Sequence, residues 1–127
     1  MAAVIHLDTH VLVWLAAGEF DRFAPAGRVH LDTGDLVASP MALLELQFLY
    51  EAGRLGRRPA EIVDHLRREF DLGVADSRLA TVVAEASECG WTRDPFDRMI
   101  VGHARANKAL LLTKDRTIRA NVDAAFW

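Results

Sequence analysis

Apolar residues occur along this chain in two patterns. Short bursts at 3–7, 36–39, 72–75 and 109–113 are apolar on both faces and bounded by turn or cap residues. Between them, apolar positions recur at helical spacing, and each such stretch carries a start or stop signal. The pattern predicts a helix over 9–17, stopped by Gly18, and a second over 25–33, closed by Gly34. Pro40 opens a helix over 40–52 that Gly53 ends, and Pro59 opens another over 60–70. Asp76 or Ser77 caps a helix running to 89 before Gly90, and Asp94-Pro95 starts one running to 107. Residues 116–120 read as a short helix, and 122–127 as an edge strand or a packed tail. Strands this short, apolar on both sides and alternating with helices, predict an α/β fold with a parallel sheet covered on both faces.

Composition narrows the picture. The 127 residues suit one domain, and 51% hydrophobic with 26% charged residues suits a packed core rather than disorder. The longest apolar run, residues 11–17, is seven long. A membrane-spanning helix needs about 20, so none is expected. Asp8 interrupts the N-terminal apolar stretch too early for a secretion signal, and no basic start precedes it. The one cysteine, Cys89, excludes an internal disulfide and a cysteine-based zinc cluster. These features together predict a soluble, cytoplasmic domain spanning 1–127. The net charge of −3 is not that of a nonspecific nucleic-acid binder, but its distribution is uneven. Residues 8–51 carry a net of −5, residues 92–119 a net of +4 and residues 54–70 a net of +2. Thirteen of the fifteen basic residues are arginine, the side chain that grips phosphate bidentately. Ordinary solvated helix faces would give the same counts.

Four acids stand where structure alone would not put them. Asp8 and Asp115 follow the first strand and the 109–113 strand, and ligands of open parallel sheets bind beyond the carboxyl ends of strands. Each also reads as a cap or turn former. Glu45 lies on an apolar stripe: taking about 100° per residue, Met41, Phe48, Leu49 and Ala52 fall within about 60° of it. Such a carboxylate must be paired with arginine or bound to metal. Asp97 heads the stripe of Ile100, Val101 and Ala104, with Asp94 as the N-cap and Pro95 at the first helical position. Converging carboxylates repel one another, and a hard divalent cation resolves the conflict. Oxygen ligands favour Mg²⁺ or Mn²⁺. His6, His10, His30, His65 and His103 form no competing cluster in sequence and read as structural or surface residues.

Leu7-Asp8-Thr9-His10, Ser39-Pro40-Met41-Ala42-Leu43-Leu44-Glu45-Leu46, Arg93-Asp94-Pro95-Phe96-Asp97-Arg98-Met99-Ile100 and Leu111-Leu112-Thr113-Lys114-Asp115 follow the order of motifs in the PIN-domain nucleases. The chain most resembles the VapC-type toxins of toxin–antitoxin modules, over nearly its whole length. Residues 54–90 match mainly in length and helical character. The resemblance implies a three-layer α/β/α sandwich around a short parallel sheet. It implies metal coordination by Asp8, Glu45, Asp97 and Asp115, directly or through water, with Mg²⁺ or Mn²⁺ as cofactor. Thr9 and Thr113 match supporting hydroxyls, and Asp94 a cap behind the ligands. The implied activity is endoribonucleolytic hydrolysis leaving a 5′-phosphate and a 3′-hydroxyl. Arg93, Arg98, Lys114 and Arg116 flank the acids and are candidates for gripping the RNA backbone. Arg57 and Arg58, with Arg54, Arg67 and Arg68, could extend that track. The implied partners are an RNA substrate, a cognate VapB-type antitoxin and a second copy of the chain; the groove for the antitoxin would lie along helix 9–17, with Trp14, and the helix of Phe48 and Tyr50.

Other phosphate chemistries fit less well. A haloacid-dehalogenase-type phosphatase needs a second Asp two residues after the first, where this chain has His10. A receiver domain needs an acceptor Asp after a central strand, where Pro40 follows the 36–39 strand instead. A non-catalytic PIN-like RNA-binding module, or a PIN nuclease acting on DNA, remains the alternative. The sequence carries no readable code for which RNA is cut.

Overall fold

The apolar bursts form strands and the periodic stretches form helices. The computed structural model describes residues 2–127, in the order β1 (Val4–Leu7), α1 (Thr9–Ala16), α2 (Pro25–Thr33), β2 (Asp35–Ala38), α3 (Pro40–Glu51), α4 (Pro59–Phe70), β3 (Gly73–Val74), α5 (Leu79–Ser87), α6 (Pro95–Ala106), β4 (Leu110–Leu112), α7 (Arg116–Asn121) and β5 (Ala125–Phe126). The five strands form one sheet in the order β3-β2-β1-β4-β5. Every pairing is parallel, with Ile5 opposite Leu36 on one side and Leu110 on the other. Helices cover both faces, giving the three-layer α/β/α sandwich.

This order decides where a ligand can sit. The chain first winds outward from β1 through β2 to β3. It then returns to the other side of β1 as β4 and winds outward to β5. Winding reverses between β1 and β4, so the connections leave a crevice beyond the carboxyl ends of these two strands. Asp8 follows β1 there, and Thr113 and Asp115 follow β4.

Burial explains why β1 is central. Ile5 and Leu7 are inaccessible to solvent, as are Leu111 and Leu112 of β4. Each such side chain contributes about 2 kcal/mol of burial free energy. His6 lies between them at 1% exposure and accepts a hydrogen bond at Nε2 from Asn107 Nδ2, at 3.0 Å. Burial, and the nearby His103 ring, push its pKa down to about 4, so His6 is a neutral member of the core. No helix among the described residues is long and apolar enough to cross a membrane.

Local details add to these expectations, and one is corrected. The chain makes a 3₁₀ turn at Phe20–Arg22 that the periodicity did not indicate. Of the two readings of the tail, the edge strand holds: Ala125–Phe126 pairs with β4 at the border of the sheet. Neither Asp76 nor Ser77 caps α5, which starts at Leu79 with Arg78 at its cap position and no side-chain cap bond. Ser77 instead donates to Asn107 Oδ1 at 2.6 Å, so this hydroxyl is spent between elements.

Helix α6 carries Asp97 and is held close against α5 at Gly102. A Cβ at that position would lie 2.7 Å from Val82 O and 2.8 Å from Ala86 N, both backbone atoms of α5. Backbone cannot yield as a side-chain tip does, so the two helices would have to separate. Gly102→Ala is therefore expected to lower the unfolding free energy by about 2 kcal/mol, read from the urea midpoint at unchanged slope. An unaltered midpoint would show that this close approach is not required.

Candidate metal centre

Beyond the carboxyl ends of β1 and β4 lies a cavity of about 480 Å³, lined by Asp8, His10, Val11, Trp14, Glu45, Asp94, Asp97, Lys114 and Asp115. Four elements converge to build it. Asp8 is the N-cap of α1, Glu45 projects from α3, Asp94 caps α6 with Asp97 in its first turn, and Asp115 caps α7. Three helix N-termini thus meet at the cavity, and the partial positive charge of each favours an acid placed there. Asp8 Oδ1 accepts from Thr9 N at 2.8 Å, Asp94 Oδ1 from Phe96 N and Asp97 N at 2.8 and 3.0 Å, and Asp115 Oδ1 from Ile118 N at 2.9 Å.

Two buried threonines tie the acids together. Thr113 Oγ1 donates to Asp8 Oδ2 at 2.6 Å and accepts from Asp115 N at 3.1 Å. Thr9 Oγ1 donates to Glu45 Oε1. Both threonines are inaccessible to solvent, so each hydroxyl has only these partners to satisfy it.

The remaining electrostatics are repulsive. Among the described residues the ion pairs are Arg22–Glu19 and Arg28–Asp21, so none of the five cavity acids has a guanidinium or ammonium within salt-bridge distance. Burial raises the pKa of Asp8, although Thr113 and the Thr9 amide pull it back. Burial also raises Glu45, with Asp8 and Asp94 adding to the shift. Asp97 is pushed up to about 7, first by burial and then by Asp94, Asp8, Asp115 and Glu45. Such a site would be relieved by a cation, and its all-oxygen donors suit Mg²⁺ or Mn²⁺. Asp8, Glu45, Asp97 and Asp115 could hold it. Among the described residues no three acidic, histidine or cysteine side chains are already gathered around one point. Oxygens of Asp8, Glu45 and Asp115 accept from hydroxyl and amide donors.

The other candidates divide. Lys114 lines the cavity. Arg98 turns away: its Nε donates to Thr92 O at 2.8 Å, and it borders a shallow depression with Val83, Ala86 and Met99. Arg57 Nη1 reaches Ala16 O at 3.4 Å, at the far end of α1 from Asp8. That separation is about 12 Å, the length of the helix. Arg58, Arg93 and Arg116 are exposed. Glu45 does not sit in the middle of a buried stripe. The buried line of α3 is Ala42 and Leu46, whereas Phe48 is 53% exposed and Ala52 is also exposed. Glu45 thus stands at the edge of the packed face, where a carboxylate reaches the cavity without full burial. Sequence reasoning passed over His10 and did not link Trp14 to the acids. Their four-residue spacing along α1 was the available signal, because it stacks them on one face, with ring centroids 5.8 Å apart.

Comparison with known proteins gives the family and the fold. Residues 5–123 match the family model of the PIN domain. The chain is 31% identical over 122 residues to Ribonuclease VapC22 of Mycobacterium tuberculosis, covering 91% of this chain and 89% of the relative. It is 27% identical over 116 residues to the tRNA(fMet)-specific endonuclease VapC of Shigella flexneri, covering 86% and 84%. Among solved structures, VapBC2 from Rickettsia felis bound to a DNA fragment from their promoter shares the fold, with a TM-score of 0.65, 18% identity and 94% coverage of each chain.

The raised pKa of Asp97 has a consequence for stability. The unfolded chain ionises this carboxyl near 3.8 and the folded one near 7, so its ionisation costs stability progressively as pH rises between those values, and fully above them. Metal-free Asp97→Asn protein should match the wild type at the acid end of that window and melt a few degrees higher at pH 8. His6 titrates alike in both proteins and drops out of the difference. Mg²⁺ or Mn²⁺ should raise the wild-type Tm more than that of the variant. A pH-independent gap, or equal metal responses, would contradict a repulsive metal-ready cluster.

Proposed function

The chain belongs to the PIN-domain family, and on that premise we propose that it is a Mg²⁺- or Mn²⁺-dependent endoribonuclease, the toxin of a toxin–antitoxin pair. The observation that carries this reading is the set of carboxylates at the β1/β4 switch point with no cationic side chain paired to them. A fold does not retain such a cluster for stability, and its relation to ribonuclease VapC22 supports the same use of it.

When bound, the cation supplies Lewis acidity, activating water for attack on a phosphodiester and offsetting charge on the phosphoryl oxygens. Asp8, Glu45, Asp97 and Asp115 hold it. Thr113 and Thr9 keep Asp8 and Glu45 in place, and Asp94 fixes the first turn of α6 so that Asp97 faces inward. Lys114 meets the substrate backbone. The RNA remains unspecified by this pocket, because every phosphodiester presents it with the same group.

The partner in this reading is a VapB-type antitoxin, and the fold shared with VapBC2 of Rickettsia felis supports it. An acidic cavity attracts an arginine or lysine of that partner by the force that attracts a metal ion. The working form is a cytoplasmic homodimer.

The test is incubation of total RNA with purified, antitoxin-free protein in Mg²⁺, Mn²⁺ or EDTA, beside Asp8→Asn. Asparagine also caps helices, so that variant should fold. Discrete metal-dependent cuts, reduced roughly a hundredfold or more in the variant, are expected. Cutting of DNA alone would reassign the substrate. Folded protein that binds RNA and cuts nothing with either metal would leave a non-catalytic module.

A further inference from the structure

The cavity contains a group that metal chemistry does not use. Trp14 lines it beside the acids, on the face of α1 that begins at Asp8 and Val11. The indole is braced from behind. Trp127 meets it edge-on with centroids 5.8 Å apart, and Trp127 in turn packs on Phe23 at 5.1 Å. Phe23 is almost wholly buried, so this aromatic wall is anchored in the core.

Lys114 is the second part of the arrangement. Its ammonium lies 5.8 Å from the centroid of Trp14 and 5.8 Å from that of Trp127. It shares a cavity with five carboxylates and yet is paired with none of them. Aromatic faces hold it, and they hold a cation more weakly than a desolvated carboxylate pair would. Its charge therefore remains available to an incoming anion. Movement of its flexible stem onto that anion removes one of the two cations over the indole; the other, the Arg22 guanidinium, lies 5.0 Å from the centroid and is ion-paired with Glu19.

A single-stranded nucleic acid presents what this wall lacks: a phosphate beside a flat π face. We propose that Trp14 is the stacking shelf for a nucleobase next to the scissile phosphate, and that Lys114 leaves the indole to take the adjoining phosphate as the base arrives. The inference rests on the nuclease reading and adds a positioning residue to it. The shelf selects unpaired strands, because a base within a duplex keeps its faces stacked on its neighbours. It is tolerant of sequence, since every base has a π face.

The test separates base from backbone. Binding of a labelled adenylate hexamer and of an abasic ribose-phosphate hexamer of equal charge is measured in the Asp97→Asn background, where the chains stay intact. With Trp14 present, the adenylate chain should bind about tenfold more tightly than the abasic one. Trp14→Leu should remove most of that preference while leaving abasic binding unchanged, and Trp14→Phe should restore much of it. Lys114→Gln should lower the salt dependence of binding by about one phosphate contact. Equal affinity for the two hexamers, equal losses on both in Trp14→Leu, or no binding of either would overturn the proposal. A base preference that depends on Trp14 in a protein that cuts no RNA would retain the shelf and reject the nuclease. Metal-dependent cutting with no base preference would do the reverse.

Discussion

Mutual repulsion among Asp8, Glu45, Asp94, Asp97 and Asp115 has to be contained for this chain to fold with its cavity formed. The containment comes from dipoles rather than from opposite charges. Three helix N-termini point at the cluster, backbone amides bond Asp8, Asp94 and Asp115, and two buried threonine hydroxyls bond Asp8 and Glu45. These donors hold the carboxylates without neutralising them. Paired arginines would have stabilised the fold more and left nothing to bind a cation. Asp97, which has the least support from side-chain hydrogen bonds, shows the residual conflict as a pKa near 7.

The topology is what makes the conflict local. A parallel sheet wound outward from β1 in both directions leaves one crevice, and the loops after β1 and β4 deliver Asp8, Thr113 and Asp115 to it. Helices α3 and α6 then add Glu45 and Asp97 from the layer that covers the sheet. Thr113 joins the two strand ends by bonding Asp8 and the Asp115 amide at once, so the site and the β1/β4 pairing support each other. Val11 and Trp14 of α1 add an apolar part to this largely anionic lining.

Much of this was legible along the chain, because the signals are local. Pro40, Pro59 and Pro95 open helices in the structure where their missing amide protons predict it. Asp8 and Asp115 stand directly after apolar bursts, and Asp94 stands directly before a proline. The errors arose where a residue had a partner far away in sequence. Ser77 reads as a cap until Asn107, 30 residues further on, takes its hydroxyl. Phe48 reads as core because it lies on the apolar stripe with Met41 and Leu49; only the packing of α3 onto α1, α4 and α6 determines which side is covered.

The sequence by itself determined the elements, their parallel arrangement and the identity of the acids, since hydrophobic period, capping chemistry and the cost of burying a carboxylate act within a few residues. Tertiary structure alone decided that the winding reverses between β1 and β4. It also decided that Thr9 and Thr113 bind carboxylates, that Trp14 and Lys114 line the same cavity, and that Trp127 packs edge-on against Trp14 from the other end of the chain. Those are relations between residues up to 113 positions apart. No local preference encodes them, and they appear only when the sheet brings distant segments within contact distance.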